Sequence, residues 1–332
     1  MPEFRKDPIT GRCVIISTER AKRPQPIIGK SPPADGESCP FCPGNENQTP
    51  PEVLAYREPK TEPNTPGWRV RVVPNKYPAV VTDKPWAARS DGLYESSDAL
   101  GAHEVIIEAP DHILNIAWLH EAQLAAVLCA YRDRILELKK DRRWRYILIY
   151  KNQGGPAGAT LEHCHSQLIA LPAVPKHARE EINGARAYFD SMGRCLYCDI
   201  VQQELADRKR LVAESDRFIV LCPYASRFPY ETWILPKFHS PSFECTCSGE
   251  YDELARCLKE TLIRLNRRLD NPPLNHVIHS IPLDGCAGDY YDWHFEVLPK
   301  LTQVAGFEWG SGSFINPVAP EDAARLLREV VP

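Results

Sequence analysis

The chain has no long hydrophobic run and no excess of positive charge, and these two absences exclude several classes of protein. None of its 332 residues belongs to an uninterrupted apolar stretch of the roughly 18 residues that a membrane-spanning helix needs. The segment after Met1 lacks the apolar core of a secretory signal, so we expect a cytoplasmic protein. A formal net charge of −4 argues against nucleic acid as a partner, because general nucleic-acid binders are normally basic. A small anionic substrate needs only a local positive site.

Cysteine, by contrast, is plentiful, and its spacing predicts metal sites rather than disulfides. The chain has 12 cysteines and no signal for an oxidising compartment. Four of them form the C-x-x-C pairs Cys39/Cys42 and Cys195/Cys198, and two thiolates at this spacing can bind one tetrahedral ion. The alternative, a redox dithiol, needs a helix that begins after the first cysteine. The proline and glycine that follow Cys42 oppose such a helix.

The segment Leu161–Ala170 is predicted to be a β-strand with two histidines and a glutamine on one face. Because side chains alternate along a strand, His163, His165 and Gln167 point the same way and Cys164 points the other way. An H-x-H pair of this kind is often a metal site or a pair of surface histidines. An imidazole can also act as a nucleophile.

The loop that precedes this strand favours phosphate chemistry. It runs Asn152-Gln153-Gly154-Gly155 and continues through small residues to Gly158. Glycines let backbone N–H groups approach an anion closely. A glycine loop followed by two imidazoles is therefore suited to an attack on phosphorus.

Both halves of the chain repeat one order of features: a C-x-x-C pair, a strand ending near a histidine, a helix, a strand, a glycine loop and a strand with histidine. This order predicts an internal duplication, with domains at residues 1–177 and 178–332. Each half then supplies a Cys2His2 set, for which zinc is the preferred ion. The predicted ligands are Cys39, Cys42, His112 and His163 in the first half, and Cys195, Cys198, His239 and His294 in the second. One histidine per strand satisfies this count, which leaves His165 free.

Together these residues resemble the galactose-1-phosphate uridylyltransferase family of the histidine-triad superfamily. The resemblance rests on the first C-x-x-C pair, the Asn152 loop and the strand with His163, His165 and Gln167, and it covers nearly the whole chain. It implies an α+β fold of two histidine-triad-like domains, with antiparallel sheets that form a half-barrel and flanking helices. It also implies a homodimer.

The resemblance implies ping-pong nucleotidyl transfer, in which His165 attacks the α-phosphorus of a nucleotide sugar. Sugar 1-phosphate leaves, and a second sugar 1-phosphate then takes the nucleotide. Gln167 would donate to a phosphoryl oxygen, and His163 would bind a structural metal beside the nucleophile. The residues expected to contact the nucleotide or its phosphates are Arg20, Arg23, Phe41, Asn75, Asn152, Gly154 and Gly155, and Glu308 is expected to meet the sugar.

Cys164 indicates a particular branch of that family. Members with an H-P-H motif have proline at this position, and their second metal site, made of a glutamate and histidines, is described as an iron site. The H-x-H-S-Q form found here is similar to a branch that includes plant ADP-glucose phosphorylase. Uridylyl transfer between hexose 1-phosphates, in galactose metabolism, is the first expectation, with iron as an alternative at the second site. Adenylyl transfer is the alternative activity, and a non-catalytic zinc- or nucleotide-binding module is a third possibility.

Overall fold

A ten-stranded antiparallel sheet runs through both halves of the chain in the computed structural model, which describes residues 2–18, 39–83, 87–283 and 288–332. The strands in these ranges are β1 (Glu3–Lys6), β2 (Cys13–Ile16), β3 (Leu54–Arg57), β4 (Trp68–Pro74), β5 (Ala88–Asp91), β6 (Tyr94–Ser97), β7 (Ala102–Ile107), β8 (Tyr146–Gln153), β9 (His165–Leu171), β10 (Leu211–Glu214), β11 (Phe218–Leu221), β12 (Thr232–Pro236), β13 (Leu274–His279), β14 (His294–Pro299) and β15 (Phe314–Asn316). The helices are α1 (Glu121–Leu138), α2 (Lys176–Met192), α3 (Leu196–Asp207), α4 (Ser248–Leu269), α5 (Gly306–Ser311) and α6 (Pro320–Arg328).

The order of the strands is the same on both sides of the middle of the sheet. The first half contributes β3-β4-β7-β9-β8, and the second contributes β13-β14-β12-β11-β10, so that β8 pairs with β13 at the junction. At this junction Asn275 is opposite Asn152, and Val277 is opposite Tyr150. The predicted α+β class with large antiparallel sheets is confirmed, and the described strands do not close into a barrel.

Two long helices cover one face of the sheet and create the main core. The apolar spacing that predicts a helix near residues 119–140 corresponds to α1, in which Leu124, Val127, Leu128 and Tyr131 are buried. α1 packs against α4 of the second half. Along β9 the even-numbered residues are buried on the helix side, whereas the odd-numbered residues lie on the opposite face. The period-two rule therefore separates a packed face from a face that carries the polar site.

Three local features differ from the sequence-based expectation or extend it. The predicted strand Leu161–Ala170 begins only at His165, so that His163 lies just before the strand. The second C-x-x-C pair begins α3, with Cys195 at its N-cap. The N-terminal hairpin of β1 and β2 pairs with β15 near the other end of the chain. Among the described residues, every helix is too short or too polar to cross a membrane.

Candidate active site and metal clusters

The four predicted ligands of the first half converge on one point. The Sγ atom of Cys42 lies 3.3 Å from Nδ1 of His112 and 3.5 Å from Nδ1 of His163. The Sγ atom of Cys39 lies 3.6 Å from the same nitrogen of His163. Zinc bonds of about 2.3 Å to sulfur and about 2.0 Å to nitrogen would place tetrahedral ligands about 3.5 Å apart. The donor set and its spacing therefore fit a tetrahedral metal ion.

A backbone carbonyl fixes the ring of His163 in the orientation that a metal requires. Nε2 of His163 lies 2.8 Å from the carbonyl oxygen of Ala109 and donates to it, which leaves Nδ1 unprotonated beside the thiols. Burial lowers the pKa of His163 to about 4, which favours the neutral ring. His163 therefore presents a lone pair to the metal position.

His165 is held in the tautomer that a nucleophile needs. Its Nδ1 lies 2.7 Å from the carbonyl oxygen of His163, so Nδ1 carries the proton and Nε2 has a free lone pair. Burial, with the nearby charge of Lys151, lowers the pKa of His165 to about 4. The ring of Phe41, a predicted nucleotide contact, packs edge-on against the ring of His165 at 5.1 Å between ring centroids. His165 is therefore a neutral and well-oriented imidazole.

A buried ion pair lies behind His165, on the helix side of the sheet. Nζ of Lys151 donates to a carboxylate oxygen of Glu108 at 2.7 Å and to the carbonyl oxygen of His165 at 2.9 Å. Although burial raises the pKa of Glu108, the charge of Lys151 lowers it to about 2. Cys164 contacts both members of the pair, and Ser166 donates to Glu108. Cys164 thus points away from the site, as the alternation predicts, and belongs to this polar network.

Lys151→Met is expected to destabilise the fold by about 3–5 kcal/mol, because it leaves the Glu108 carboxylate buried without its partner. The measurement is the free energy of unfolding in urea. The double variant Glu108→Gln/Lys151→Met serves as the control and is expected to recover part of the loss. A single variant as stable as the wild type would show that the pair contributes nothing to folding.

The predicted phosphate loop is held from the second half of the chain. The side-chain amide of Asn275 donates to Oδ1 of Asn152 at 2.8 Å and to the carbonyl oxygen of Ala157 at 2.8 Å. With its oxygen engaged, Asn152 keeps its amide N–H groups for a ligand. Gly154 has φ = 84°, a left-handed conformation in which a side chain would be strained, and a Cβ here would lie 3.1 Å from Pro273.

Two further residues of this site, Tyr150 and His103, are not predicted from the sequence. Oε1 of Gln167 accepts a hydrogen bond from the hydroxyl of Tyr150 at 3.0 Å and lies 2.9 Å from Nε2 of His103. Nδ2 of Asn75 lies 3.1 Å from the same nitrogen of His103. Tyr150 and His103 lie on β8 and β7, the two strands that pair with β9. Their alternation along these strands is the only signal in the sequence, and it does not reveal which strands are neighbours.

The remaining predicted contacts stay predictions. Arg20 and Arg23 lie outside the described residues. Gly155 begins the short 3₁₀ turn of the phosphate loop. Glu308 lies in the first turn of α5, where its carboxylate accepts a hydrogen bond from the backbone N–H of Ala305.

The second cluster contains Asp292 where His294 was predicted. Oδ2 of Asp292 lies 3.3 Å from Sγ of both Cys195 and Cys198, and Oδ1 lies 2.9 Å from Nδ1 of His239. Cys195, Cys198, His239 and Asp292 form a group that could hold a metal, and His294 is not part of that group; the assignment of His294 stays a prediction. Asp292 corresponds to His163 in the repeat and His294 to His165. Asp292 and His294 are two residues apart, a spacing that places two residues on the same face of a strand. The alternation of side chains alone therefore could not show which of them lies beside the cysteines.

Asp292→Asn is therefore expected to lower the metal content from about two ions per chain to about one, because a neutral amide is a poor zinc ligand. His294→Asn, which changes the neighbouring position of the repeat, is the matched control and should keep both ions. Elemental analysis of the purified variants makes the comparison. Loss of an ion in His294→Asn alone would support the original assignment.

In the second half, His294 is the counterpart of His165, but its neighbours differ. Tyr197 occupies the place of Phe41 in its C-x-x-C pair, and its ring lies 5.2 Å from that of His294. Two residues on, Glu296 stands where the first half has Gln167. The guanidinium of Arg227 bonds to Glu296 at 2.5 Å and to Glu231 at 3.0 Å. A carboxylate and an internal cation thus replace the neutral amide of the first half.

Two additional groups of side chains in this region have metal-ligand atoms within reach of one another. They are His177, Glu181 and His279, and Glu181, His294 and Glu296. Both adjoin a cavity of roughly 530 Å³ that Arg227 also lines. Arg227 places a fixed positive charge on Glu296 and lies 3.2 Å from a ring nitrogen of His177.

A buried imidazole with an unprotonated Nε2, a glycine loop and a Cys/His cluster that could hold a metal lie together on a duplicated antiparallel sheet, which is the arrangement expected of a nucleotidyltransferase. The sequence profile described as galactose-1-phosphate uridyl transferase, N-terminal domain, matches residues 1–175, and that of the C-terminal domain matches residues 181–310. The chain belongs to the galactose-1-phosphate uridylyltransferase family.

Individual relatives support the same family and differ in their named activities. The ADP-glucose phosphorylase of Arabidopsis thaliana is 37% identical over 99% of this chain and 93% of its own length. The galactose-1-phosphate uridylyltransferase of Thermotoga maritima is 29% identical over 99% of this chain and 98% of its own. A crystal structure of the Arabidopsis phosphorylase with bound ADP-glucose matches all of both chains, with a TM-score of 0.85 and 35% identity. A uridylyltransferase structure matches 99% of this chain and 98% of its own, with a TM-score of 0.78 and 30% identity.

Proposed function

We propose that this chain transfers a nucleotidyl group from a nucleotide sugar through a covalent intermediate on His165. The observation that carries the proposal is the hydrogen bond from Nδ1 of His165 to the carbonyl oxygen of His163, at 2.7 Å, which leaves Nε2 as the attacking atom. Nε2 bonds to the α-phosphorus, and the bond from phosphorus to the bridging oxygen breaks. Sugar 1-phosphate leaves with that oxygen.

In the second half-reaction an acceptor oxygen attacks the phosphorus and the P–N bond breaks, which regenerates neutral His165. The amides of Gln167 and Asn152 donate to the non-bridging oxygens, where charge develops. Backbone N–H groups at Gly154 and Gly155 contribute to the same binding site. Arg20 and Arg23 neutralise the phosphates.

Both Cys/His clusters hold structural zinc in this proposal. Thiolate and imidazole donors, with one carboxylate in the second cluster, form a set that zinc prefers, and elemental analysis distinguishes zinc from iron there. The ion at the first cluster fixes His163 and so the carbonyl oxygen that orients His165. The homodimer, the cytoplasmic location, the sugar contact of Glu308 and the domain boundary at residue 177 stay predictions.

ADP-glucose and inorganic phosphate are the substrate pair that we favour. The similarity to the Arabidopsis ADP-glucose phosphorylase, at 37% identity, supports this choice over the 29% identity to the Thermotoga uridylyltransferase. UDP-glucose with galactose 1-phosphate is the second candidate, because both family profiles carry the name of that reaction.

The test uses nucleotide sugars labelled at the α-phosphorus. The protein is incubated with labelled ADP-glucose or UDP-glucose without an acceptor, and label on the protein is tested for the acid lability and base stability of a phosphorus–nitrogen bond. Phosphate or galactose 1-phosphate is then added, and release of the label is followed. We expect faster labelling by ADP-glucose and release by phosphate. Faster labelling by UDP-glucose and release by galactose 1-phosphate would favour the second candidate, and no label from either would refute the covalent mechanism.

A further inference from the structure

We propose that His103 is a positioning residue that fixes the amide of Gln167 for phosphoryl transfer, an inference that rests on the proposed function. His103 lies on β7, half-buried, and faces the same side of the sheet as Gln167. It is not expected to touch the phosphorus. Its effect comes from two hydrogen bonds, one at each ring nitrogen, and the direction of the first determines the direction of the second.

The backbone defines the tautomer of His103. The N–H of Ala79 points at Nδ1 of His103 at 3.1 Å, and a backbone N–H can only donate. Nδ1 therefore accepts and bears no proton, which puts the ring proton of the neutral imidazole on Nε2. This assignment follows from a fixed donor and does not depend on any ambiguous side-chain amide.

The tautomer of His103 in turn orients Gln167. The Nε2–H of His103 donates to Oε1 of Gln167 at 2.9 Å, and the hydroxyl of Tyr150 donates to the same oxygen at 3.0 Å. Two donors use both lone pairs of a carbonyl oxygen. The amide nitrogen of Gln167 must then face away from His103, and its N–H groups remain for an anionic substrate. The opposite orientation would present oxygen to the phosphoryl oxygens and would repel them.

The same imidazole also adjoins the predicted nucleoside contact. The backbone N–H of Tyr77 donates to Oδ1 of Asn75 at 2.9 Å, which fixes that amide too. Nδ2 of Asn75 faces Nε2 of His103 at 3.1 Å, but that nitrogen already carries a proton and cannot accept. The contact between these two donors is not a hydrogen bond, so His103 does not fix the amide of Asn75. The hydrogen bond to Gln167 is the one through which His103 acts.

Two substitutions of His103 distinguish the role of Nδ1 from the role of Nε2. In His103→Asn, the side-chain oxygen can replace Nδ1 and accept from Ala79, but the donor to Gln167 is lost. In His103→Gln, the longer side chain can place an amide N–H where Nε2 stood. We expect kcat to fall about 10- to 100-fold in His103→Asn with KM changed less than about threefold, because one donor to developing charge loses its orientation. His103→Gln should stay within about threefold of the wild type.

A double-variant cycle with Gln167→Ala tests whether His103 acts through Gln167. Once the amide is gone, His103→Asn should lower kcat no further. Equal thermal midpoints of the two His103 variants exclude a difference in folding. An unimpaired His103→Asn, a His103→Gln that is equally impaired, or effects that multiply with Gln167→Ala would each overturn the assignment. A wild-type protein without a covalent adduct would instead refute the proposed function and this inference with it.

Discussion

Replacing His165 by asparagine is expected to abolish the covalent adduct and to lower kcat by about 10⁴-fold or more. Asparagine has no atom that can form the bond to phosphorus at the position of Nε2. Its amide can still donate to the carbonyl oxygen of His163, as Nδ1 does now, so the fold should persist. Retention of label from the nucleotide sugar on the protein is the direct measurement.

The matched control is His294→Asn, the same substitution at the corresponding position of the second half. His294 is fully buried against Tyr197 and Trp233, so this variant is expected to lose about 1–3 kcal/mol of stability. Below its unfolding temperature it should still form the adduct. If His165→Asn turned over at a rate near that of the wild type, the phosphorus would have another nucleophile.

The second large effect is expected from the first metal cluster. Cys39→Ser removes a thiolate ligand, and we expect it to lower the metal content from about two ions per chain to about one and kcat by at least about 100-fold. The physical reason is the short path from the proposed ion to His165: His163 would bind the metal through Nδ1, and its carbonyl oxygen accepts the hydrogen bond that orients His165. Elemental analysis and steady-state rates are measured on the same preparation.

Cys195→Ser is the comparison for that variant, because it removes the matching thiolate of the second cluster. It should also lose one ion, with a lower thermal midpoint, while the folded protein keeps most of its kcat. Equal losses of kcat in the two variants would mean that the metals serve general stability. A larger loss in Cys39→Ser would support the path through His163.

The convergence of the first cluster, and the position of the proposed nucleophile beside it, could be predicted because their signals are local. Cys39 and Cys42 lie within one turn, and His163 and His165 lie two residues apart. Comparison of the two halves then assigned one histidine of the pair to metal and left the other free. The same comparison pointed to His294, whereas Asp292 lies with Cys195, Cys198 and His239. A shift of two residues along a strand preserves the face, so alternation could not distinguish these two positions.

The residues that orient the site could not be predicted, because they depend on strand pairing over long sequence distances. His103 and Asn275 meet their partners only because β7 lies beside β9 and β13 lies beside β8. Alternation predicts which face of a strand a residue occupies, but many pairings are compatible with it. The helix α3 could not be predicted for a different reason. It begins at a C-x-x-C pair, which resembles the metal-binding turn of the first pair. Only the first pair is followed by a proline and a glycine, which oppose a helix.

The junction between β8 and β13 joins the two repeats in one continuous sheet. A fragment that ended near residue 177 would present β8, an eight-residue strand with the buried residues Ile147 and Ile149, as an open edge. Unpaired edges of this kind invite association with other chains. Such a fragment would contain the proposed nucleophile His165 and the first cluster, yet it would lack the Asn275 amide that holds Asn152 in the predicted phosphate loop. The first repeat alone is therefore a poor starting point for a minimal enzyme. A variant with its original chain ends joined should have its new ends at a position that leaves both repeats intact.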